Sequence, residues 1–219
     1  MFDAVIFDWD GTLADTKWAV VNAFQNVLKE IGCNVSDRFI ERRIGMGAKT
    51  TFEDALETAK MPYNDEMIGT LVEKKVEAQL RSAKHVKLFR GTIDLLNSLR
   101  YKVRMALASM NNRAVIDRLL TQKEVNTYFD VIIAVEEVLH PKPNPEIFLK
   151  CAQRLRRRPE NCVVLEDSIF GIQAAKNAFM KCIAISTGAY SGKELAEQKP
   201  DLILSSITEK EKVLGFILG

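Results

Sequence analysis

Residues 4–13 read Ala-Val-Ile-Phe-Asp-Trp-Asp-Gly-Thr-Leu, an apolar run followed at once by two carboxylates, a glycine and a hydroxyl. The run Ala4–Phe7 predicts a short buried strand with Asp8 and Asp10 at its carboxyl end, where open α/β sheets carry their chemistry. Two carboxylates about 4 Å apart repel each other by roughly 4 kcal/mol at a surface-like dielectric. The pair therefore indicates a metal site or two acids with different protonation states, and a plain Asp-Gly turn is the alternative.

The composition limits the class of protein. The chain has 219 residues, 47% of them hydrophobic, which suffices for one large or two small domains with a sizeable core. Its 31 basic and 29 acidic side chains balance, so no basic excess indicates nucleic-acid binding. The four cysteines lack C-x-x-C spacing, and no segment has the pattern of a signal peptide or the length of a membrane span. We therefore expect a cytoplasmic protein with reduced thiols and neither a nucleic-acid nor a membrane partner.

Five more short apolar runs predict further strands: Val103–Ala108, Val131–Val135, Val163–Leu165, Ile183–Ile185 and Leu202–Leu204. Runs that are apolar on both faces suit a parallel sheet that is covered on both sides. Helical patterns alternate with these runs, at Thr92–Arg100, Arg113–Gln122, Pro145–Arg156 and Ser168–Ala178. This alternation predicts an α/β fold with a doubly wound parallel sheet.

The stretch between the first two long strands differs, because it shows helical patterns and no convincing strand. The predicted helices are Lys17–Ile31, one capped by Ser36 and Asp37, Thr51–Lys60, and Asp65–Ala83 with Asn64 as its cap. Roughly seventy residues are far too many for a βα connection. We therefore predict two domains, an α/β catalytic core of residues 1–15 and 86–219 and an inserted helical cap of residues 16–85 above Asp8 and Asp10.

Polar residues follow three more predicted strands. They are Ser109, Lys142 in the loop Pro141–Pro145, and the run Glu166-Asp167-Ser168. Because the carboxyl ends of parallel strands meet at one sheet edge, we expect these residues to converge with Asp8 and Asp10. Carboxylate ligands without a nearby His or Cys indicate Mg²⁺ rather than zinc, and Mg²⁺ leaves room for a substrate phosphate. Glu166 and Asp167 also suit a helix N-terminus, a role that is compatible with metal binding.

This set of side chains suits phosphoryl transfer. Lys142 and Ser109 would bind phosphate oxygens together with backbone N–H groups in turns. The candidates in those turns are Gly11, Thr12, Met110 and Asn111. An ionised Asp8 can attack phosphorus. Asp10 can then protonate the leaving group and later activate water.

Taken in chain order, these residues resemble the four motifs of the haloacid dehalogenase superfamily. The motifs are Asp8-x-Asp10-Gly11-Thr12, Ser109, Lys142-Pro143, and Glu166-Asp167-Ser168 with Gly171. The match spans nearly the whole chain, and the predicted insertion is similar to the C1 cap of the subgroup containing phosphoglycolate phosphatase and β-phosphoglucomutase. The resemblance implies Asp8 as the nucleophile and Asp10 as the general acid and base. It also implies Mg²⁺ held by Asp8, the Asp10 carbonyl and Asp167, with Glu166 either contacting the ion or supporting its ligands.

Two features select the activity within this resemblance. Asp10 favours phosphate over carbon–halogen chemistry, because dehalogenases of the superfamily lack this second acid. Mutase-like members usually carry a histidine about one turn after the counterpart of Asp15-Thr16, whereas this chain reads Lys17-Trp18-Ala19-Val20. We therefore expect a Mg²⁺-dependent phosphatase of a small phosphorylated metabolite that works through an aspartyl-phosphate. A phosphomutase is the first alternative, and a non-catalytic phosphate-responsive regulator is the second.

Residues 42–49 look like the substrate-specificity loop of capped members. Gly45 would let the loop approach the core closely, and Arg43 or Lys49 would contact a second anionic group on the substrate. A solvated turn between two helices is the alternative. Trp18 is expected either to pack at the hinge or to line the pocket.

Overall fold

The computed structural model describes residues 1–219 and contains a six-stranded, entirely parallel sheet. The eight strands of the chain are β1 Ala4–Phe7, β2 Ala14–Asp15, β3 Lys87–Leu88, β4 Arg104–Ala108, β5 Val131–Ile133, β6 Cys162–Glu166, β7 Lys181–Ile185 and β8 Leu202–Leu204. Six of them form the sheet in the order β5-β4-β1-β6-β7-β8. The strand order reverses beside β1, so the predicted doubly wound fold is confirmed.

Ten α-helices surround and extend this sheet. They are α1 Lys17–Glu30, α2 Asp37–Glu41, α3 Ala48–Thr58, α4 Asp65–Ser82, α5 Thr92–Leu99, α6 Arg113–Gln122, α7 Glu146–Leu155, α8 Ile169–Asn177, α9 Gly192–Ala196 and α10 Lys210–Leu218. The predicted caps of α2 and α4 are present, since the Ser36 and Asn64 side chains accept hydrogen bonds from the backbone N–H groups of Phe39 and Met67. No helix is both long and apolar enough to cross a membrane.

Both faces of the sheet are covered by apolar layers, which is why its strands carry apolar residues without alternation. Val5 and Phe7 lie in the layer formed with α5, α6 and α10, while Ala4 and Ile6 lie in the layer formed with α7 and α8. All four residues of β1 are completely buried. Replacing Phe7 by Ala would cost roughly 3–5 kcal/mol of stability, as is typical of large core aromatics.

Helices α1–α4 form an insertion with an apolar cluster of its own, in which the rings of Phe24 and Phe52 lie 4.8 Å apart. We call residues 17–82 the helical insertion. The chain enters it through β2 and leaves it towards β3, and these two-residue strands pair antiparallel, Ala14 with Leu88. Sequence patterns did not predict β2 and β3, because two residues are too few to show a period.

The register of β1 aligns the polar residues that follow the strands. Phe7 lies opposite Leu107 on β4 and opposite Leu165 on β6. The residues next along each strand therefore reach the same sheet edge at nearly the same height.

Candidate active site

Asp8 and Asp10 leave the end of β1 in a tight, buried turn. The Asp8 N–H donates a 3.0 Å hydrogen bond to the Leu165 carbonyl and so extends the strand by one residue. The Trp9 carbonyl then accepts from the N–H groups of Leu13 and Ala14, both at 3.1 Å. Because Trp9 is completely buried in the core, this turn fixes both carboxylates in place.

Lys142 is completely buried and bridges two carboxylates. Its Nζ lies 2.7 Å from Oδ1 of Asp8 and 2.5 Å from Oε1 of Glu166. Burial by itself would lower the pKa of Lys142, but the two adjacent carboxylates outweigh burial and raise the pKa above its ordinary value. Lys142 is therefore a permanent cation next to Asp8.

Both carboxylate oxygens of Glu166 are occupied within the chain. Oε1 accepts from Lys142, and Oε2 accepts from the Asp167 N–H, the Ser168 N–H and the Ser168 hydroxyl, each at 2.9 Å. Ser168 in turn caps α8 by accepting from the Gly171 N–H at 3.0 Å. The structure thus places Glu166 where it holds Lys142 and the start of α8, with no oxygen left free of a hydrogen bond.

Asp167 faces Asp8 across the site and has no cationic partner. Its Oδ1 accepts a hydrogen bond of 3.2 Å from the Thr12 hydroxyl. Burial raises the pKa of both Asp8 and Asp167, and the Glu166 carboxylate raises both pKa values further. A cation bound between Asp8 and Asp167 would relieve this unfavourable concentration of negative charge.

The donor set here suits Mg²⁺. Asp8 and Asp167 supply carboxylate oxygens, and the Asp10 carbonyl accepts no hydrogen bond within the chain. No three His, Cys, Asp or Glu side chains form a metal-binding group by themselves. Mg²⁺ commonly binds through one or two carboxylates and completes its shell with water and substrate phosphate, so the residues present fit this ion.

Asp10 belongs to a second polar group on the side of the helical insertion. Its Oδ2 accepts from the Ser109 hydroxyl at 3.1 Å, and its Oδ1 accepts from Nδ2 of Asn111 at 3.5 Å. Nζ of Lys75 donates to Oδ1 of Asn111 at 3.0 Å. Ser109 therefore contacts Asp10, whereas Lys142 contacts Asp8, and the two acids have separate partners.

Lys75 was not predicted from the sequence, although it is only 3% exposed. It lies on α4 and lines a small cavity together with Asp10, Asn111 and Met110. Burial lowers the pKa of Lys75 to about 8, against the opposing effect of Asp10 and Glu136. Its position in the helical pattern could have indicated a buried lysine, because Lys75 lies on the buried stripe of α4 with Ile68, Leu71 and Gln79.

The structure brings only part of the predicted specificity loop to this cavity. Gly45 lines it. Arg43 lines it as well, but its Nε is paired with Asp54 at 2.8 Å. Lys49 is exposed and lies 3.2 Å from Asp65, outside the cavity lining. Trp18 is 62% exposed and packs edge-on against His85, so it lies at the junction of the insertion with the core and not in the cavity.

Known proteins resemble this chain in both sequence and fold. A family model described as haloacid dehalogenase-like hydrolase matches residues 5–185. The fructose-1-phosphate phosphatase YqaB of Escherichia coli is 32% identical over 188 residues, which are 84% of this chain and 96% of that protein. A hydrolase structure from Pseudomonas syringae has a TM-score of 0.91 at 23% identity and covers 99% of both chains. A β-phosphoglucomutase from Clostridium difficile has a TM-score of 0.87 at 24% identity over 100% of both chains. At these identities the two structures support the fold alone.

Proposed function

The chain belongs to the haloacid dehalogenase-like hydrolase family and is a phosphoric monoester hydrolase, and we propose that it is a Mg²⁺-dependent phosphatase of small phosphorylated metabolites. One observation carries the proposal. Two buried acids on one turn have separate partners, Asp8 with Lys142 and Asp10 with Ser109. This separation lets one acid act as nucleophile while the other transfers protons.

In the first step, a carboxylate oxygen of Asp8 attacks phosphorus. A bond forms between that oxygen and phosphorus, the bond from phosphorus to the leaving oxygen breaks, and the product on the protein is an aspartyl-phosphate. Oδ2 of Asp8 is the free oxygen, because Oδ1 is held by Lys142. Lys142 keeps its charge and stabilises the negative charge of the transferring group.

Asp10 serves both proton transfers. It gives a proton to the leaving alcohol oxygen in the first step and takes one from water in the second. In that second step the water oxygen bonds to phosphorus, the bond from the Asp8 oxygen to phosphorus breaks, and inorganic phosphate leaves with the Asp8 carboxylate restored. The hydrogen bonds from Ser109 and Asn111 orient its carboxylate towards the cavity. Asp8, Asp167 and the Asp10 carbonyl would hold Mg²⁺, which when bound supplies charge neutralisation at the phosphoryl oxygens.

The helical insertion acts as a cap in this proposal. It contributes Lys75 and Gly45 to the cavity beside Asp10, where the leaving group of the substrate would lie. The Lys75 ammonium has no carboxylate partner, so it suits an oxygen-rich leaving group. Closure of the cap over the core would exclude water during transfer.

The deciding experiment compares Asp8→Asn with the wild-type protein on a panel of phosphoglycolate, sugar phosphates, nucleotides and pyrophosphate, each with and without Mg²⁺. Asp94→Asn is the matched control, because Asp94 is exposed on α5. We expect Asp8→Asn to abolish phosphate release and Asp94→Asn to preserve it. Mg²⁺-dependent release by Asp8→Asn near the wild-type rate would overturn the mechanism.

The same assay separates the alternatives. A hexose 1-phosphate supplied with a trace of the bisphosphate would give an isomer without free phosphate if the protein were a phosphomutase. A stable acyl-phosphate without turnover would indicate a phosphate-responsive regulator.

A further inference from the structure

We propose that Arg42 is a positioning residue that docks residues 42–47 of the helical insertion onto the core and thereby completes the wall of the substrate cavity. The inference deepens the proposed phosphatase function and rests on it. Residues 42–47, which we call the docking loop, join α2 to α3.

Arg42 is bound to the core through both its side chain and its main chain. Its Nη1 lies 2.6 Å from Oε1 of Glu194 on α9, and its guanidinium lies 4.2 Å from the centroid of the Tyr190 ring. The Tyr190 hydroxyl donates a 2.6 Å hydrogen bond to the Arg42 carbonyl. Three contacts on one residue, made to partners about 150 positions away in the chain, fix the start of the docking loop relative to the sheet edge.

Hydrogen bonds within the core hold the Glu194 side chain that Arg42 contacts. Glu194 accepts hydrogen bonds from the N–H and hydroxyl of Ser191 at the start of α9, and these bonds, with Arg42, lower the pKa of Glu194 to about 2. Burial raises the pKa of Tyr190, so its hydroxyl remains a donor. The ion pair is therefore insensitive to pH around neutrality, but it is sensitive to salt because both side chains are about one third exposed.

The docking loop then approaches the core beside the proposed catalytic residues, at two glycines with positive φ. A Cβ at Gly45, where φ is 97°, would lie 3.5 Å from the Ser168 hydroxyl, and one at Gly47 would lie 3.4 Å from Cε of Met110. Ile44 lines the cavity that contains Lys75 and also the neighbouring one that contains Asp167. The loop that Arg42 holds thus borders both cavities, as Asp10 does from the core.

The adjacent arginine provides an internal contrast. Arg43 pairs with Asp54 and lies over the Phe39 ring at 3.5 Å, so its side chain is bound within the helical insertion. Of the two consecutive arginines, Arg42 alone reaches the core. This division indicates that Arg42 acts between the insertion and the core, while Arg43 stabilises the insertion itself.

The test uses Arg42→Ala and Glu194→Gln, with Lys74→Ala as the matched control. The Gln oxygen can still accept from Ser191, and Lys74 forms an exposed ion pair with Glu30 inside the insertion. We expect Arg42→Ala to raise KM roughly tenfold, which corresponds to about 1.4 kcal/mol, with kcat changed much less. Glu194→Gln should act in the same direction, and the double variant should be no worse than Arg42→Ala. High salt should raise KM more where the ion pair is intact than where it is broken.

Hydrogen exchange of the unliganded protein supplies a readout that does not depend on activity. Arg42→Ala should accelerate amide exchange in residues 43–47 while exchange in the strands stays unchanged. Lys74→Ala should leave exchange unchanged in both regions. If KM and loop exchange in both Arg42→Ala and Glu194→Gln match the wild type, the inference is overturned. If the wild type hydrolyses no phosphate ester, the proposed function fails, and the exchange result still decides whether Arg42 docks the loop.

Discussion

Nζ of Lys142 donates a 2.7 Å hydrogen bond to Oδ1 of Asp8 although both side chains are almost completely buried. A buried carboxylate without a partner is costly, and Glu166 adds a second negative charge to the same lysine. The lysine thus stabilises the folded chain through the same contacts that hold the nucleophile in position.

Lys142→Met should therefore lose both turnover and stability. Two buried carboxylates would remain without a cation, so we expect the free energy of unfolding to fall by roughly 3–5 kcal/mol in urea denaturation at neutral pH. Lys181→Met is the control, since Lys181 forms an exposed pair with Asp201 at 2.6 Å and should change stability by less than about 1 kcal/mol. Equal losses of unfolding free energy in the two variants would show that the buried ion pairs of Lys142 contribute no more to stability than an exposed pair does.

Gly188 controls the position of Asp167. A Cβ at Gly188 would lie 1.7 Å from Oδ2 of Asp167, so Gly188→Ala must displace that carboxylate. We expect the Mg²⁺ concentration for half-maximal activity to rise by roughly 10–100-fold, as when supports of metal ligands are disturbed. Gly215→Ala on α10 is the control, because open space surrounds Gly215. An unchanged Mg²⁺ requirement in Gly188→Ala would remove Asp167 from the proposed metal site.

Asp10→Asn should separate the two proton transfers. With p-nitrophenyl phosphate the leaving group needs no proton, so Asp8 can still be phosphorylated, but water attack lacks its base. Rapid mixing should show a burst of nitrophenolate equal to the enzyme concentration, followed by turnover slowed roughly 10²–10⁴-fold. An alkyl phosphate should give no burst in the same variant. Steady release at the wild-type rate would exclude Asp10 from both steps.

The sheet and the meeting of its polar strand ends were predictable from the sequence, because short apolar runs followed by Asp8, Ser109 or Glu166 are local patterns. The parallel register then brings those residues together without further information. Helices α9 and α10 were not predicted, and neither was the β2–β3 pair, which joins residues 74 positions apart (Ala14 and Leu88). Such pairing depends on tertiary contact and leaves no period in the chain.

The contribution of the helical insertion to the site was harder to predict. The sequence alone does not distinguish the roles of the cations Arg42, Arg43 and Lys49. The acid that each one contacts in the folded chain decides its role. Arg42 meets Glu194 on the core, whereas Arg43 and Lys49 find acids within the insertion. A lysine on the buried stripe of a helix was a local sign of a polar contact beneath the insertion, and it marked Lys75.

Lys75→Met should make the protein more stable but catalytically less efficient. The lysine ammonium is buried without an anionic partner, and Met has a similar length without the charge. Oδ1 of Asn111 would keep a hydrogen bond from the Asn112 N–H at 3.0 Å, so no acceptor is left unsatisfied. We expect the free energy of unfolding at pH 7 to rise by about 1–3 kcal/mol while kcat/KM falls. A less stable Lys75→Met would contradict the assignment of a destabilising buried charge.

The pH dependence of this effect has a definite sign. Burial lowers the pKa of Lys75 from 10.5 to about 8, while Asp10 and Glu136 act in the opposite direction. The buried charge is present below pH 8, so the stability gain in Lys75→Met should be full there and should vanish as pH rises from about 8 to 10.5. If the same charge binds substrate, wild-type kcat/KM should fall as pH rises through about 8, because this parameter reports the free enzyme. Lys75→Met should lack that decline and the neighbouring Lys74→Ala should retain it, whereas an identical decline in Lys75→Met would assign the titration to another group.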